Sequence, residues 1–525
     1  MLISDDKRSH GDRTAFAGAA GCSVLAASLL CFVAAKSGFT GLFSDSAVYL
    51  LLADAFRADG ATFDWLTFLF SRYPFPPLYP LFLAALGGGA EAARWTHAIG
   101  ALTLSACAGV IVVWWWRERV PLLFACAAAI VFVLTPVTLF SAMDIFSEPL
   151  YLLLTLTAMV ALAPNPPRRS AWYSAAIALG LAGIVRTVGI TAIAAFILHW
   201  WLRTGGRQHR AAPFLALLPT LVWAANKWLR DYDSSYVLTV IRFPLHETVP
   251  ALLGEIPANL RALWDHGLDN LDILGNPVAG VLLGVLLVFA VAGFFRRAAE
   301  LRFDAMYLAA YGALILVWPH GEHAGRFLFV VMPIIGLHAL VAAIALARGV
   351  HGIRLRAAIA GVPLVLAAAL IVPSGGVITG TVARFSGGTY HDDVRTETWH
   401  RHADDAVART EADIVREMTA AIVALGNRVE AGACITSVYP QTVMLLTRRP
   451  GVFPARPAAG AREFEQSLRQ CPYALLLNST SDAFGFPAHF YPRARLAGRF
   501  SVVAEVRYRD VPPAPAVAAM LVRVH

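Results

Sequence analysis

The chain has 525 residues, of which 58% are hydrophobic and only 15% charged, with 43 Lys and Arg against 35 Asp and Glu and a formal net charge of +8. Together with a mean hydropathy of +0.60, this excludes an ordinary soluble globular protein and points to a chain whose apolar surface faces lipid. The positive balance needs no nucleic-acid partner, because cationic loops suit anionic lipid at a membrane surface.

Apolar runs of bilayer-crossing length, roughly 17 to 25 residues, begin near Thr14, Ala92, Pro121, Ala142, Ala171, Val188, Ala211, Val278, Phe303, Phe327 and Arg356. The sequence thus predicts an α-helical polytopic membrane protein with about eleven transmembrane helices. The first run follows basic residues but has no small-residue cleavage site, so it reads as an uncleaved helix. Basic residues recur at every second boundary: Lys7, Arg8 and Arg13; Arg117 and Arg119; Arg168 and Arg169; Arg203, Arg207 and Arg210; Arg296, Arg297 and Arg302; Arg348, Arg354 and Arg356. By the positive-inside rule these boundaries are cytoplasmic. Trp114, Trp115 and Trp116 fall at one of them, where an interfacial belt is expected.

Four segments are then outside, and the first is the most informative. Ser44 to Leu83 holds Asp45 in SDSAVYL, with Tyr49 and Asp54 beyond it, then Arg72 and the run RYPFPPLYPLFL. Asp45 with Ser44 suits a helix N-cap, and it equally suits an ionisable group placed at the membrane face for chemistry. Pro74, Pro76, Pro77 and Pro80 forbid a continuous helix and hold a stiff path that offers Tyr73, Phe75 and Tyr79 as amphipathic surface.

The second outer corner carries Asp144 and Glu148, four residues apart, which share one face if a helix starts near Met143. They read either as acids lining a cavity or as helix-start acids complementing the macrodipole, with Pro149 in the first turn. Arg186 in IVRTVGI is a guanidinium at an outer boundary, against the positive-inside trend. A phosphate ligand and an ion pair with Asp144 or Glu148 both explain it. Arg326 in GRFLFVVMP has the same two readings. His320, Glu322 and His323 crowd the preceding turn as substrate contacts, a solvated turn or an incomplete metal site, which lacks a firm third ligand. His246, Glu247 and Asp265 occupy the long outer loop with no deciding pattern.

After Pro373 the composition turns polar, which divides the chain into a transmembrane domain, residues 1–375, and a C-terminal soluble α/β domain, residues 376–525, outside the membrane. Val407, Ile414, Met418, Ile422 and Leu425 lie near helical spacing, whereas ACITSV, YALLLNS, SVVAEVRY and AMLVRV read as short strands. Cys22, Cys31, Cys107 and Cys126 fall in spans as small hydrophobes. Cys434 and Cys471 are the one pair in the polar domain, and an oxidising compartment permits a disulfide between them.

In the order Asp45 with Tyr49, PPLYP from Pro76 to Pro80, Ser147-Glu148-Pro149, Arg186 with Gly189, and Arg326 with Pro333, the chain resembles the GT-C class of polyprenyl-phosphate-sugar glycosyltransferases. Within that class it is similar to the dolichyl-phosphate-mannose-protein mannosyltransferase-like group that includes bacterial lipid A aminoarabinose transferases. It departs from the group's habit at Phe75, where members often have histidine, and at Ser46, where a second acid is common. The resemblance implies an inverting transfer, on the outer face of a bacterial-type inner membrane, of a sugar from a polyprenyl-phosphate donor to a lipid, glycan or protein hydroxyl. No cofactor is expected, and a divalent metal is the less favoured reading. Asp45 would be the general base, and Tyr49, Arg72, Tyr79, Asp144, Glu148, Arg186, His320, Glu322, His323 and Arg326 the substrate contacts. The alternative is a secondary transporter or flippase, although the internal symmetry common in such proteins is not visible. The absence of G-x-x-x-x-G-K disfavours ATP-driven transport.

Overall fold

The computed structural model describes residues 5–35, 45–58, 64–73, 75–164, 166–230, 245–269, 276–318, 324–369, 417–454, 466–467, 469–477, 500–507 and 517–525, with isolated positions at 375, 378–379 and 382. The chain divides into two compact units. The first comprises Met1–Ala35, Thr67–Phe82 and Thr96–Ile378; the second comprises Lys36–Leu66, Leu83–Trp95 and Thr379–His525.

The helices in chain order are α1 (Asp5–Ala35), α2 (Asp45–Arg57), α3 (Trp65–Arg72), α4 (Leu78–Ala85), α5 (Ala93–Arg117), α6 (Leu122–Leu134), α7 (Pro136–Met143), α8 (Glu148–Leu162), α9 (Arg169–Gly183), α10 (Gly189–Thr204), α11 (Ala211–Leu229), α12 (Leu245–Asp269), α13 (Asn276–Ala299), α14 (Phe303–Leu316), α15 (Ala324–Arg348) and α16 (Ile353–Ala369). Among the described residues, four segments are long and apolar enough to cross a membrane: Asp12–Ala35, Ala93–Arg117, Gly280–Ala299 and Arg326–Arg348. The pair α6 and α7 makes a fifth, bent by 57°. With this composition the chain is a multi-pass membrane protein.

The bend has a local cause. Pro136 cannot donate a helical hydrogen bond and pushes the residue before it out of the α region, and Thr135 is extended at φ −68°, ψ 143°. The apolar run that starts at Leu122 therefore breaks in mid-course. A second break follows at once: α7 ends at Met143, and α8 begins only at Glu148, with Ser147 as N-cap and Pro149 in the first turn. Asp144 thus closes one helix while Glu148 opens the next. They do not share a helix face, because Pro149 sets the start of α8 five residues later than Met143.

The tryptophans at the end of α5 also differ from the sequence expectation. Trp114 and Trp115 are buried in the first unit, 1% and 2% exposed, rather than lying as a lipid-facing belt. Tight helix packing follows from small residues. Gly189 starts α10 so close to the end of α9 that an added Cβ would lie 2.7 Å from the Gly183 Cα, which fixes the turn Ile184 to Val188 between them.

The second unit contains a five-stranded sheet of β1 (Ile435–Thr436), β2 (Gly451–Val452), β3 (Tyr473–Leu477), β4 (Phe500–Arg507) and β5 (Val517–Val524), in the spatial order β2-β1-β3-β5-β4. β1 runs parallel to β2 and β3, while β5 is antiparallel to β3 and β4. Two further helices, α17 (Glu417–Gly426) and α18 (Pro440–Thr447), accompany it. Met418, Ile422 and Leu425 of α17 join Ile435, Val443, Leu475, Leu476 and Leu521 in one buried core. β3 is buried at every position, as a central strand covered on both sides should be, whereas the edge strand β4 is mostly exposed. Cys434 and Cys471 are disulfide-bonded with a Cα–Cα distance of 5.1 Å, joining the starts of the neighbouring strands β1 and β3. Val407 and Ile414 lie outside the described residues.

Candidate active site

In the first unit, three of the sequence motifs meet around one carboxylate. Glu148, at the N-terminus of α8, is 1% exposed. Its Oε1 is ion-paired with Arg186 Nη1 at 2.6 Å and accepts a hydrogen bond from Nε of Arg326. Arg186 also donates from Nη1 to Ser147 Oγ at 3.1 Å, and the guanidinium of Arg326 lies 4.2 Å from the centroid of the Phe146 ring. Arg186 stands on the short turn between α9 and α10, so its backbone has almost no freedom. The PPLYP run docks on the same turn, where the Leu78 N–H donates to Ile184 O at 3.0 Å. Tyr79 is buried beside it in the chain, 3% exposed.

Behind this cluster the helices are joined by tyrosines. Tyr151 and Tyr307 share a hydrogen bond of 3.0 Å between their hydroxyls, and Tyr311 donates to the carbonyl of Phe327, the residue after Arg326. α8, α14 and the start of α15 are thereby held in register around the two guanidiniums.

Two guanidiniums share one carboxylate, and the arginine side chains are 16% and 23% exposed while that of Glu148 is 2% exposed. Among the described residues, Glu148 Oε2 is buried with no hydrogen-bond partner. Guanidinium forks match phosphate oxygens, so two arginines oriented by a buried acid have the chemistry to hold an anion. The ion pair that the sequence allows for Arg186 with either of two acids is made with Glu148, and Arg326 makes the same one.

The other predicted residues belong to other elements. Asp144 is buried, 6% exposed, and its N–H donates to Phe140 O at the end of α7. Asp45 opens α2 in the second unit, half-buried, and Tyr49 lies one turn further along that helix, 4% exposed. Arg72 ends α3 with its guanidinium 4.3 Å from the Phe68 ring centroid. His320, Glu322 and His323 lie outside the described residues. Among the described residues, no three His, Cys, Asp or Glu side chains gather as a metal site.

A second charged cluster is not apparent from the sequence pattern. At the other end of α8, Arg302 donates to Ala163 O at 2.9 Å and pairs with Glu118. Arg297 pairs with Glu118 at 3.1 Å and grips Asp304 with two contacts of 2.6 and 2.7 Å; His338 Nε2 lies 2.6 Å from Asp304 Oδ2. Arg297 and Arg302 are thus buried structural partners rather than free basic loop charges. Asp304 and His338, ionisable groups inside apolar runs, are the signal that could have revealed it.

No family model and no curated protein matches the chain. Among solved structures, it is similar to ArnT from Cupriavidus metallidurans in the apo state, with 15% identity and a TM-score of 0.46 over 95% of this chain and 96% of that one. It is similar to ArnT bound to undecaprenyl phosphate, with 14% identity and a TM-score of 0.42 over 95% and 97%. The arabinofuranosyltransferase AftD from mycobacteria is also similar, with 15% identity and a TM-score of 0.44 over 96% of this chain and 40% of AftD.

Proposed function

We propose that this protein is an integral-membrane glycosyltransferase of the GT-C kind that moves a sugar from a polyprenyl-phosphate donor to an acceptor hydroxyl of a lipid, glycan or protein. The observation that carries the reading is the Glu148 cluster, in which a buried acid holds two arginines, one of them on the turn where the PPLYP segment docks. Arg186 and Arg326 hold the donor phosphate, and Glu148 keeps their guanidiniums in place.

In the reaction, the acceptor oxygen attacks the anomeric carbon as the bond from that carbon to the phosphate oxygen breaks. Charge gathers on the departing lipid phosphate, where the arginines stabilise it. Asp45 takes the acceptor's proton, and a single displacement inverts the anomeric centre. Tyr49, Arg72, Tyr79, Asp144, His320, Glu322 and His323 complete the substrate contacts, and no metal or other cofactor is required. In this reading the chain spans a bacterial-type inner membrane about eleven times, with the active face and residues 376–525 outside the cytoplasm.

Comparing surface glycolipids and polysaccharides of cells with and without the gene identifies the sugar and the acceptor. Asp45→Asn in purified protein with that donor then tests the mechanism. General-base assistance is worth about 10² to 10⁴ in rate, so transfer falls by that order at normal expression and unchanged lipid binding. Asparagine caps a helix about as well as aspartate, so near-normal transfer overturns the role of Asp45.

A further inference from the structure

Asp54 has no part in the chemistry above, yet its carboxylate is gripped by three segments of the second unit. Arg57 Nη2 on the next turn of α2 donates to Oδ1 at 2.8 Å, and the Ala90 N–H, from the turn after α4, donates to the same oxygen at 3.2 Å. Arg448, 394 residues further along the chain, donates from Nη2 to Oδ2 at 2.8 Å. Arg57 adds a contact from Nη1 to Gly87 O at 3.1 Å. Helix α2, the Leu83–Trp95 segment and the sheet-bearing residues are therefore tied at one carboxylate.

Two backbone features show that this meeting is built into the sequence. A Cβ on Gly89 would lie 2.1 Å from Asp54 Oδ1 and 2.3 Å from Arg57 Nη2, so only glycine lets the turn close on the pair. Arg448 follows the last residue of α18 with φ 55°, ψ 31° in the left-handed region, its N–H bonded to Met444 O. That position favours glycine, because any Cβ is strained there. Arginine is the wrong choice for ending the helix, and its guanidinium is spent on Asp54.

We propose that Asp54 and Arg448 are positioning residues: their ion pair ties α2 to the C-terminal sheet, so that this part of the chain fixes the helix whose first residue is the general base. The proposal rests on the role of Asp45. Asp54 lies nine residues after Asp45, about 13 Å along the helix and on its opposite side, so the tie acts on the orientation of α2 and not on the reacting atoms. The pair is partly exposed, with side-chain exposures of 42% for Arg448 and 18% for Asp54. Such pairs are individually weak. It is the convergence of three donors on one carboxylate, with the backbone shaped to allow it, that makes a fixed joint.

Arg448→Gly separates positioning from folding, because glycine relieves the left-handed backbone while deleting the tie. In full-length protein in lipid nanodiscs, the variant should unfold at the parent's temperature or above it. Hydrogen exchange of residues 45–57 should accelerate about tenfold, and kcat for transfer should fall about 10- to 100-fold, the scale of a small misplacement of a reacting group, with the donor KM unchanged. Asp54→Asn, which removes the charge that Arg448 pairs with, should accelerate the same exchange and lower kcat in the same way. Unchanged exchange in residues 45–57 for both single variants overturns the tie. Faster exchange with unchanged kcat overturns the positioning role. Near-normal transfer by Asp45→Asn instead sinks the base on which the proposal rests, and the exchange measurement still decides whether the tie exists.

Discussion

Glu148→Gln is the most informative single change, because it removes one negative charge and leaves every atom of the cluster's shape nearly intact. In the parent, Oε1 faces two guanidiniums, one of them at 2.6 Å. With charge centres about 4 Å apart and an effective dielectric near 20, each pair is worth about 4 kcal/mol gross. Breaking a buried pair typically costs about 3 to 5 kcal/mol, and the partial exposure of both arginines reduces this. A net loss of about 2 to 4 kcal/mol is therefore expected, which for a chain of 525 residues is roughly 2 to 4 °C in thermal midpoint. The assay is tryptophan fluorescence of detergent-purified protein at one fixed scan rate, since membrane proteins of this size unfold irreversibly. Added undecaprenyl phosphate should restore stability, by about 2.7 kcal/mol at a hundredfold excess over Kd. The gain should be larger in the Gln variant, where the lipid phosphate takes over from Glu148 as the counter-charge for two arginines. A Gln variant within about 1 °C of the parent would refute the electrostatic account. Lipid phosphate that stabilises neither protein would refute the anion site.

Three further outcomes follow from other parts of the chain. Arg186→Lys keeps the charge but loses the planar fork, so transfer should weaken about tenfold or more in kcat/KM; unchanged kinetics would leave Arg186 as a dispensable partner of Glu148. Cys434 and Cys471 should resist a thiol reagent until reductant is added, and Cys434→Ser with Cys471→Ser should cost about 3 to 4 kcal/mol for a bridge spanning 37 residues, read by denaturant unfolding; free labelling of the unreduced protein would exclude the bond. A periplasm-active reporter fused after Gly375 should be active and one fused after Arg207 inactive; the reverse pattern would place the anion site on the cytoplasmic side.

Much of this protein is legible in the order of its amino acids. Membrane character follows from composition because a lipid-facing surface must be apolar whatever the fold. Helix positions follow from runs bounded by charge, proline and glycine, all of them local signals. The strands Tyr473–Leu477, Phe500–Arg507 and Val517–Val524 are visible as short β-branched or aliphatic runs between polar residues. Arg186 and Arg326 stand out singly, as cations where the loop pattern offers no reason for them.

What the sequence could not decide is which charges meet. Arg186 and Arg326 are 140 positions apart, and only the folded bundle brings both to Glu148, because the breaks at Pro136 and Pro149 place that acid at a helix start instead of on a shared face with Asp144. Arg297 and Arg302 read as loop charges until Glu118 and Asp304 are found against them. Asp54 and Arg448 are ordinary surface residues in one dimension. Local propensity is written within a few residues, whereas an ion pair depends on distances that only the long-range packing of helices and strands sets.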